Sequence, residues 1–309
     1  MFAVADAHCD FLYYMVQKKA EISVEKPGQS MYLPRMVAGN VKLQFFAAWI
    51  DTLLMEEPLQ QFLLMANAYH EMLDAHSAQL VQFTPDHSPI DRRIATVLTI
   101  EGGEALGERA ENLRLFKRLG VRAMTLTWND RNSLAYPATG RKNGGLTAFG
   151  KEVVDEMCAC AIAVDIAHLS DAGIDDVLQR ATRPVFASHS NARAVYAHKR
   201  SLTDAHIRVV AQSGGIVCVN YYPPQLNGSD SAGMDDILTH IEHMVEIAGV
   251  EHVGLGSDFD GMPVYPRNLS SSADVPNLLE KLLARGYTKS MVERIAYWNL
   301  RDYIAKFAE

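Results

Sequence analysis

Six side chains able to bind a metal ion, or to work beside one, stand where short apolar runs of this sequence stop. His8 and Asp10 close AVADAHCD, Glu101 closes TVLTIEGG, His168 closes AIAVDIAH, His189 closes PVFASHS and Asp258 closes HVGLGSDFDG. His-x-Asp at a strand end puts both side chains on one side, one pleat apart, so a single cation can be held by both. The same pattern also suits a buried histidine with a capping aspartate. Glu101 runs into Gly102-Gly103, a turn in which backbone can approach a ligand; its two oxygens can bridge two cations, or the carboxylate can cap a helix. His168 and His189 end two different strands and form a natural second metal site. Asp258 suits a proton carrier: a carboxylate near cations stays ionised and can take a proton from water. Asp260 could equally hold that role; Asp258 is preferred, with Asp260 expected to brace the loop. His240 and His243 share one helix face at i, i+3 and read as a solvated face, since no strand end brings further ligands to them. The chemistry that unites the six is metal-dependent hydrolysis.

Polar groups at so many strand exits call for a scaffold that gathers strand ends, and the remaining pattern supplies one. Eight short apolar runs read as strands: Ala3–Asp6, Lys42–Ala47, Thr96–Ile100, Ala123–Thr127, Ala163–Ile166, Val185–Ser188, Gly215–Asn220 and His252–Gly256. Helical patterns lie between and after them, at Pro58–Gln79, Arg109–Leu119, Thr147–Ala161, Ser170–Ala181, Thr203–Ser213, Met234–Ala248, Val275–Arg285 and Lys289–Phe307. Ser170 and Thr203 are N-cap residues by type, with acids in the turns that follow. Alternating strand and helix predicts an α/β fold, a (β/α)8 TIM barrel of the metal-dependent hydrolase type, with the site at the C-terminal rim. No repeat, low-complexity tract or linker divides residues 1–309, so a single domain is expected, its C-terminal helices packing on the barrel. Ser23–Gly39, Ala135–Gly145 and Tyr221–Gly233 are rich in Gly, Pro and Asn and read as loops over the site.

With 309 residues, 48% of them hydrophobic, the chain can bury a core of that size. Its net charge of −8 argues against a nucleic-acid partner and leaves a small-molecule substrate. No G-x-G-x-x-G after the first strand and no G-x-x-x-x-G-K-[ST] loop speaks for a nucleotide. MFAVADAHCD lacks the basic and long apolar regions of a secretory leader, no apolar run approaches the roughly 20 residues of a membrane span, and a cytoplasmic location is expected. The four cysteines read as free thiols, with Cys9 facing away from His8 and Asp10.

His8-x-Asp10, EGGEAL with Glu101, LTWND, GGLTAFGKEVV, VDIAHLS, SHSNARAV followed by Lys199-Arg200, GGIVCVNYYP and GLGSDFDG occur in an order that resembles the membrane dipeptidase (renal dipeptidase) family of zinc peptidases, peptidase family M19, over essentially the whole chain. The resemblance implies an amidohydrolase-like barrel with two zinc ions about 3.5 to 4 Å apart. His8 and Asp10 would bind the first, Glu101 would bridge to the second, and His168 and His189 would complete it. Asp258 would be the catalytic acid/base and Arg200 the group that binds the substrate's carboxylate, for which a guanidinium fork is suited. The activity implied is hydrolysis of dipeptides, including those with a C-terminal D-residue, by hydroxide bridging the metals; the alternative is a lactone, cyclic amide or other small carboxylate-bearing substrate. A homodimer is implied by the resemblance alone. Trp128 stands where some members have a histidine that contacts the substrate or its oxyanion; an indole N–H donates one hydrogen bond and cannot carry charge, so the oxyanion contact would be weaker, or Asn129 or the zinc would take over. Tyr222, in Tyr221-Tyr222-Pro223-Pro224, reads either as a wall of the substrate pocket or as part of a packed turn.

Overall fold

Runs of Val, Ile, Phe and Ala too short and too apolar for surface elements pair side by side in parallel at the centre of the molecule, each followed by chain that returns over the outside. In the computed structural model, which describes residues 1–54 and 56–308, nine strands form one sheet: β1 (Val4–Asp6), β2 (Val41–Trp49), β3 (Leu80–Gln82), β4 (Ile94–Glu101), β5 (Val121–Thr125), β6 (Ala163–Asp165), β7 (Phe186–Ala187), β8 (Ile216–Val219) and β9 (Val253–Leu255). The order β2-β1-β9-β8-β7-β6-β5-β4 closes on itself through β2–β4, an eight-stranded parallel barrel. Strand β3 was not expected; it pairs only with Ile94–Thr96 at the start of β4 and so lies outside the ring, at the rim away from the site.

Alternation sorts each strand between two cores. Leu43 and Phe45 of β2, and Ala95 and Val97 of β4, fill the barrel interior. Phe46, Ala48, Leu98 and Ile100 face the outer helices. The inward parity of β4 runs 95, 97, 99, 101 and that of β2 runs 43, 45, 47, 49, which delivers Glu101 and Trp49 to the interior at the C-terminal mouth; the two are paired in register.

The helices α1 (Phe11–Lys18), α2 (Leu33–Ala38), α3 (Pro58–Ala75), α4 (Asn112–Arg118), α5 (Ala148–Ala159), α6 (Asp171–Arg180), α7 (Asp204–Gln212), α8 (Pro223–Leu226), α9 (Met234–Ala248), α10 (Val275–Ala284), α11 (Lys289–Glu293) and α12 (Asn299–Ala305) surround the ring. Thr147, Ser170, Thr203 and Thr288 each cap a helix through the side-chain oxygen. Helices α1, α2 and α8 lie where no helix was expected. Each is eight residues or fewer, which leaves little periodic signal. The C-terminal pattern is one helical run interrupted by a π-helical turn at Arg294–Trp298. Leu300, Tyr303, Ile304 and Phe307 join the inner core, with Tyr303 stacked on Phe186 at 5.3 Å, and Asn299 Nδ2 donates to the Val253 carbonyl at the start of β9 at 2.8 Å. The C-terminal helix therefore plugs the end of the barrel opposite the site. No described helix is long and apolar enough to cross a membrane.

His240 corrects the expected solvated helix face. It is fully buried, its Nδ1 accepting the Ala192 N–H at 3.2 Å while Nε2 donates to the Leu226 carbonyl at 2.9 Å. The polar periodicity of α9 hides this, because the partners are backbone atoms of the loop after β7 and of short α8. His243 is half-buried and bonds Asp204. All four cysteines are free, and Cys9 packs in the outer core, away from His8 and Asp10.

Candidate metal centre

Five strand exits converge at the C-terminal mouth. Glu101, the last residue of β4, lies with Oε2 3.5 Å from His8 Nε2 and Oε1 2.9 Å from His168 Nε2 and 3.5 Å from His189 Nε2. Asp10 Oδ2 is 3.5 Å from His8 Nε2, and the two histidine Nε2 atoms of His168 and His189 stand 2.9 Å apart. All five side chains are buried. Asp258 closes the group: one ligand atom each from His8, Asp10 and Asp258 lies within 4.8 Å of the others.

The backbone is shaped to bring them there. Asp10 occupies the position before α1 yet makes no capping bond, so its carboxylate is free for the centre. His168 and Asp258 both hold the left-handed conformation, with φ of 67° and 65°, which non-glycine residues adopt at a cost that surrounding structure must offset. Asp6 Oδ1 accepts the N–H groups of His8, at 3.2 Å, and Ser257, at 2.9 Å, pinning the exits of β1 and β9 together. Asp165 Oδ1 does the same for β6 and β7, accepting Ala167 N–H at 3.0 Å and Ser188 N–H at 3.1 Å. Gly261 admits the carboxylates: a Cβ there would run into Asp10 Oδ2 and Asp258 Oδ1.

Hydrogen bonds orient the imidazoles. His168 Nδ1 bonds Asn129 Oδ1 at 3.2 Å, an acceptor, which fixes the proton on Nδ1 and leaves a lone pair on Nε2. His189 Nδ1 bonds the Ser188 hydroxyl at 2.8 Å. Nitrogens and carboxylate oxygens thus face one another across a shared space, and the buried His8 Nε2 and Asp10 Oδ1 have no hydrogen-bond partner among the described residues. Buried polar atoms are rarely left so, and cations are what this donor set satisfies. The electrostatics agree. Burial would lower His8, but Glu101 and Asp10 overcome it and hold His8 well above the usual histidine range. Burial against few compensating donors pushes Asp10 up to about 6 and Asp258 up to about 7, a strain that positive charge would relieve. Burial and the charge of Arg200 press His168 down to about 4, so its imidazole is neutral and able to ligate.

Of the other expected residues, Asp258 is half-buried, with Oδ2 accepting from Asn220 Nδ2 at 3.1 Å and no hydrogen bond to Oδ1 among the described residues. Asp260 braces a loop, its carboxylate accepting the backbone N–H groups of Ser30 and Met31. Arg200, 4% exposed, leaves Nε and Nη2 without a partner among the described residues, and burial lowers it to about 10 against the pull of Glu101, Asp258 and Asp165. Trp128 and Tyr222 both line the cavity over the centre, about 380 Å3, together with Tyr13, Trp49 and the acidic cluster. That size suits a small molecule.

The family described as membrane dipeptidase (peptidase family M19) matches residues 1–302. The chain belongs to that family. As one of its members it is a metallo-dipeptidase, an enzyme that hydrolyses peptide bonds. An uncharacterized dipeptidase of Schizosaccharomyces pombe is 33% identical over 310 residues, 91% of this chain and 74% of the relative. The dipeptidase aclJ of Aspergillus oryzae is 31% identical over 82% of this chain and 64% of its own length. A metallopeptidase of Rhodobacter sphaeroides, solved with a phosphinate mimic of L-Ala-D-Ala, superposes with a TM-score of 0.92 at 26% identity, over 99% of each chain.

Within this M19 site, sequence reasoning passed over Asp6, Asp165, Ser188 and Asn220. The signal was present: an aspartate ending each of the apolar runs AVAD and AVD is a buried acid that must find donors. Tyr13 and Trp49 left no such mark, since an aromatic residue near a strand end is usually core.

Proposed function

We propose that this chain is a two-zinc dipeptidase in which His8, Asp10, Glu101, His168 and His189 hold the ions, Asp258 moves the proton and Arg200 binds the substrate's terminal carboxylate. The observation that carries the reading is the meeting of five side chains from four strand exits around a space in which buried His8 Nε2 and Asp10 Oδ1 lack partners among the described residues. Zinc bound there supplies Lewis acidity and lowers the pKa of water toward about 7.

The protein's own residues do the rest. Glu101, with one oxygen toward His8 and the other toward His168 and His189, spans both halves of the centre. Asn220 holds Asp258 by Oδ2, leaving Oδ1 to accept the proton of the attacking water and pass it to the departing amine. Arg200, enclosed and short of acceptors, fits a planar anion, and a cavity of about 380 Å3 limits the substrate to a short peptide. A C-terminal D-residue is accepted in this reading, supported by the mimic that the Rhodobacter sphaeroides protein binds.

The test is metal analysis of the purified protein together with hydrolysis of paired L-Xaa-L-Xaa and L-Xaa-D-Xaa dipeptides, with and without chelator. Two zinc ions per chain and chelator-sensitive cleavage of both stereochemical series are expected. Zinc-loaded protein that cleaves no dipeptide sinks the proposal.

A further inference from the structure

One side of the cavity, running from Tyr13 to Trp128 beside His168, is aromatic, and the mechanism makes no use of it. Tyr13, just after β1, packs on Trp49 at the end of β2, ring centres 4.7 Å apart; Trp49 meets Trp128, after β5, edge to face at 4.9 Å; and Trp128 lies 6.2 Å from the His168 ring. All three rings line the same cavity as Asp10, Glu101 and Asp258. Trp49 is fixed beside the bridging carboxylate by its register with Glu101, and Tyr13 is anchored by its hydroxyl, which donates to Asp51 Oδ2 at 3.0 Å. The wall is thus preformed, so apolar surface placed on it loses water without a matching cost in protein ordering.

The ring order says which end of a dipeptide meets it. Counting around the barrel as β1, β2, β4, β5, β6, β7, β8, β9, the strand that leads to Arg200, β7, stands four places from β2, directly across the mouth from Trp49. A substrate whose carboxylate lies toward Arg200 and whose scissile bond lies over the centre directs its amino-terminal residue toward β2. We infer that the Tyr13–Trp49–Trp128 wall is the pocket for the N-terminal side chain and selects dipeptides in which that side chain is large and apolar or aromatic. This rests on the dipeptidase reading above and adds to it the substrate class.

Steady-state kinetics of the zinc-loaded enzyme with Phe-Ala, Leu-Ala, Gly-Ala, Ala-Phe and Ala-Gly test the inference. Burial of one large apolar side chain corresponds to roughly 10- to 100-fold in kcat/KM. Phe-Ala and Leu-Ala should exceed Gly-Ala by that factor, with a smaller ratio of Ala-Phe to Ala-Gly. Trp128→Ala should collapse the Phe-Ala to Gly-Ala ratio, mainly through KM for Phe-Ala, and Trp128→Phe should restore most of it. Tryptophan fluorescence titrations of chelator-treated protein give a readout free of turnover, with tighter binding of Phe-Ala than Gly-Ala expected. Equal rates for Phe-Ala and Gly-Ala, selection at the C-terminal residue instead, or a ratio that survives Trp128→Ala overturns the inference while leaving dipeptide hydrolysis intact. Absence of cleavage of all five peptides overturns the dipeptidase reading and this inference with it.

Discussion

Arg200 is the residue at which recognition and stability pull in opposite directions, and Arg200→Met separates them. The guanidinium is buried with Nε and Nη2 unpartnered among the described residues, so the folded protein carries the cost of enclosing those donors until an anion arrives. Two charge-assisted hydrogen bonds to a substrate carboxylate contribute about 1.5 kcal/mol each at the low end, or roughly 3 kcal/mol together. At 1.36 kcal/mol per decade that is about 100-fold in kcat/KM. The discriminating assay compares L-Ala-L-Ala with its C-terminal amide. The wild type should favour the free acid by about that factor; Arg200→Met should lose most of its rate on the acid, change little on the amide, and melt at the same temperature or higher. If the variant lowers both substrates equally, or melts several degrees lower, Arg200 is holding the site together rather than reading a carboxylate.

Asp258→Asn should cut kcat by roughly 10²- to 10⁴-fold with zinc content unchanged, as measured by metal analysis beside kinetics, because the amide keeps the shape but accepts no proton. Gly261→Ala should lower zinc occupancy and activity together, since its Cβ needs the space of Asp10 Oδ2 and Asp258 Oδ1; full occupancy in the variant would refute the packing argument. Asp165→Ala should weaken zinc binding by roughly 10- to 100-fold in competition titrations, by freeing the two backbone N–H groups that align the exits carrying His168 and His189. Zinc affinity should rise as pH increases through about 6, where Asp10 ionises. Folded Asp10 and Asp258, raised to about 6 and about 7 by burial, bind protons more tightly than in the unfolded chain, so their contribution to the metal-free fold is present at low pH and lost as pH rises through those values. Zinc needs Asp10 ionised, and calorimetry in two buffers should register proton release below pH 7.

Much of this was legible along the chain. Apolar runs of strand length separated by helical periodicity specify successive βα units, and a charged or imidazole side chain closing such a run has nowhere to go but a rim, so His8, Asp10, Glu101, His168, His189 and Asp258 could be picked out one at a time. Short α1, α2 and α8 were not visible because a turn or two of helix carries too little periodicity, and β3 because three residues pairing outside the ring resemble any loop. His240 was misread for a related reason: a polar residue on a helix looks solvated unless its backbone partners, Ala192 and Leu226, are known.

Local pattern, then, determined which residues end strands and which faces are apolar, because hydrophobic alternation and turn chemistry act over a few residues. Which exits touch was decided only when the sheet closed: the β2–β4 pairing brings Trp49 beside Glu101, buried Asp6 and Asp165 tie neighbouring exits, and the ring sets β7, the strand that leads to Arg200, across from β2 and Trp49. Those are contacts between segments tens to hundreds of residues apart. Closure of the ring and burial of charge select them, and neither leaves a trace in sequence spacing.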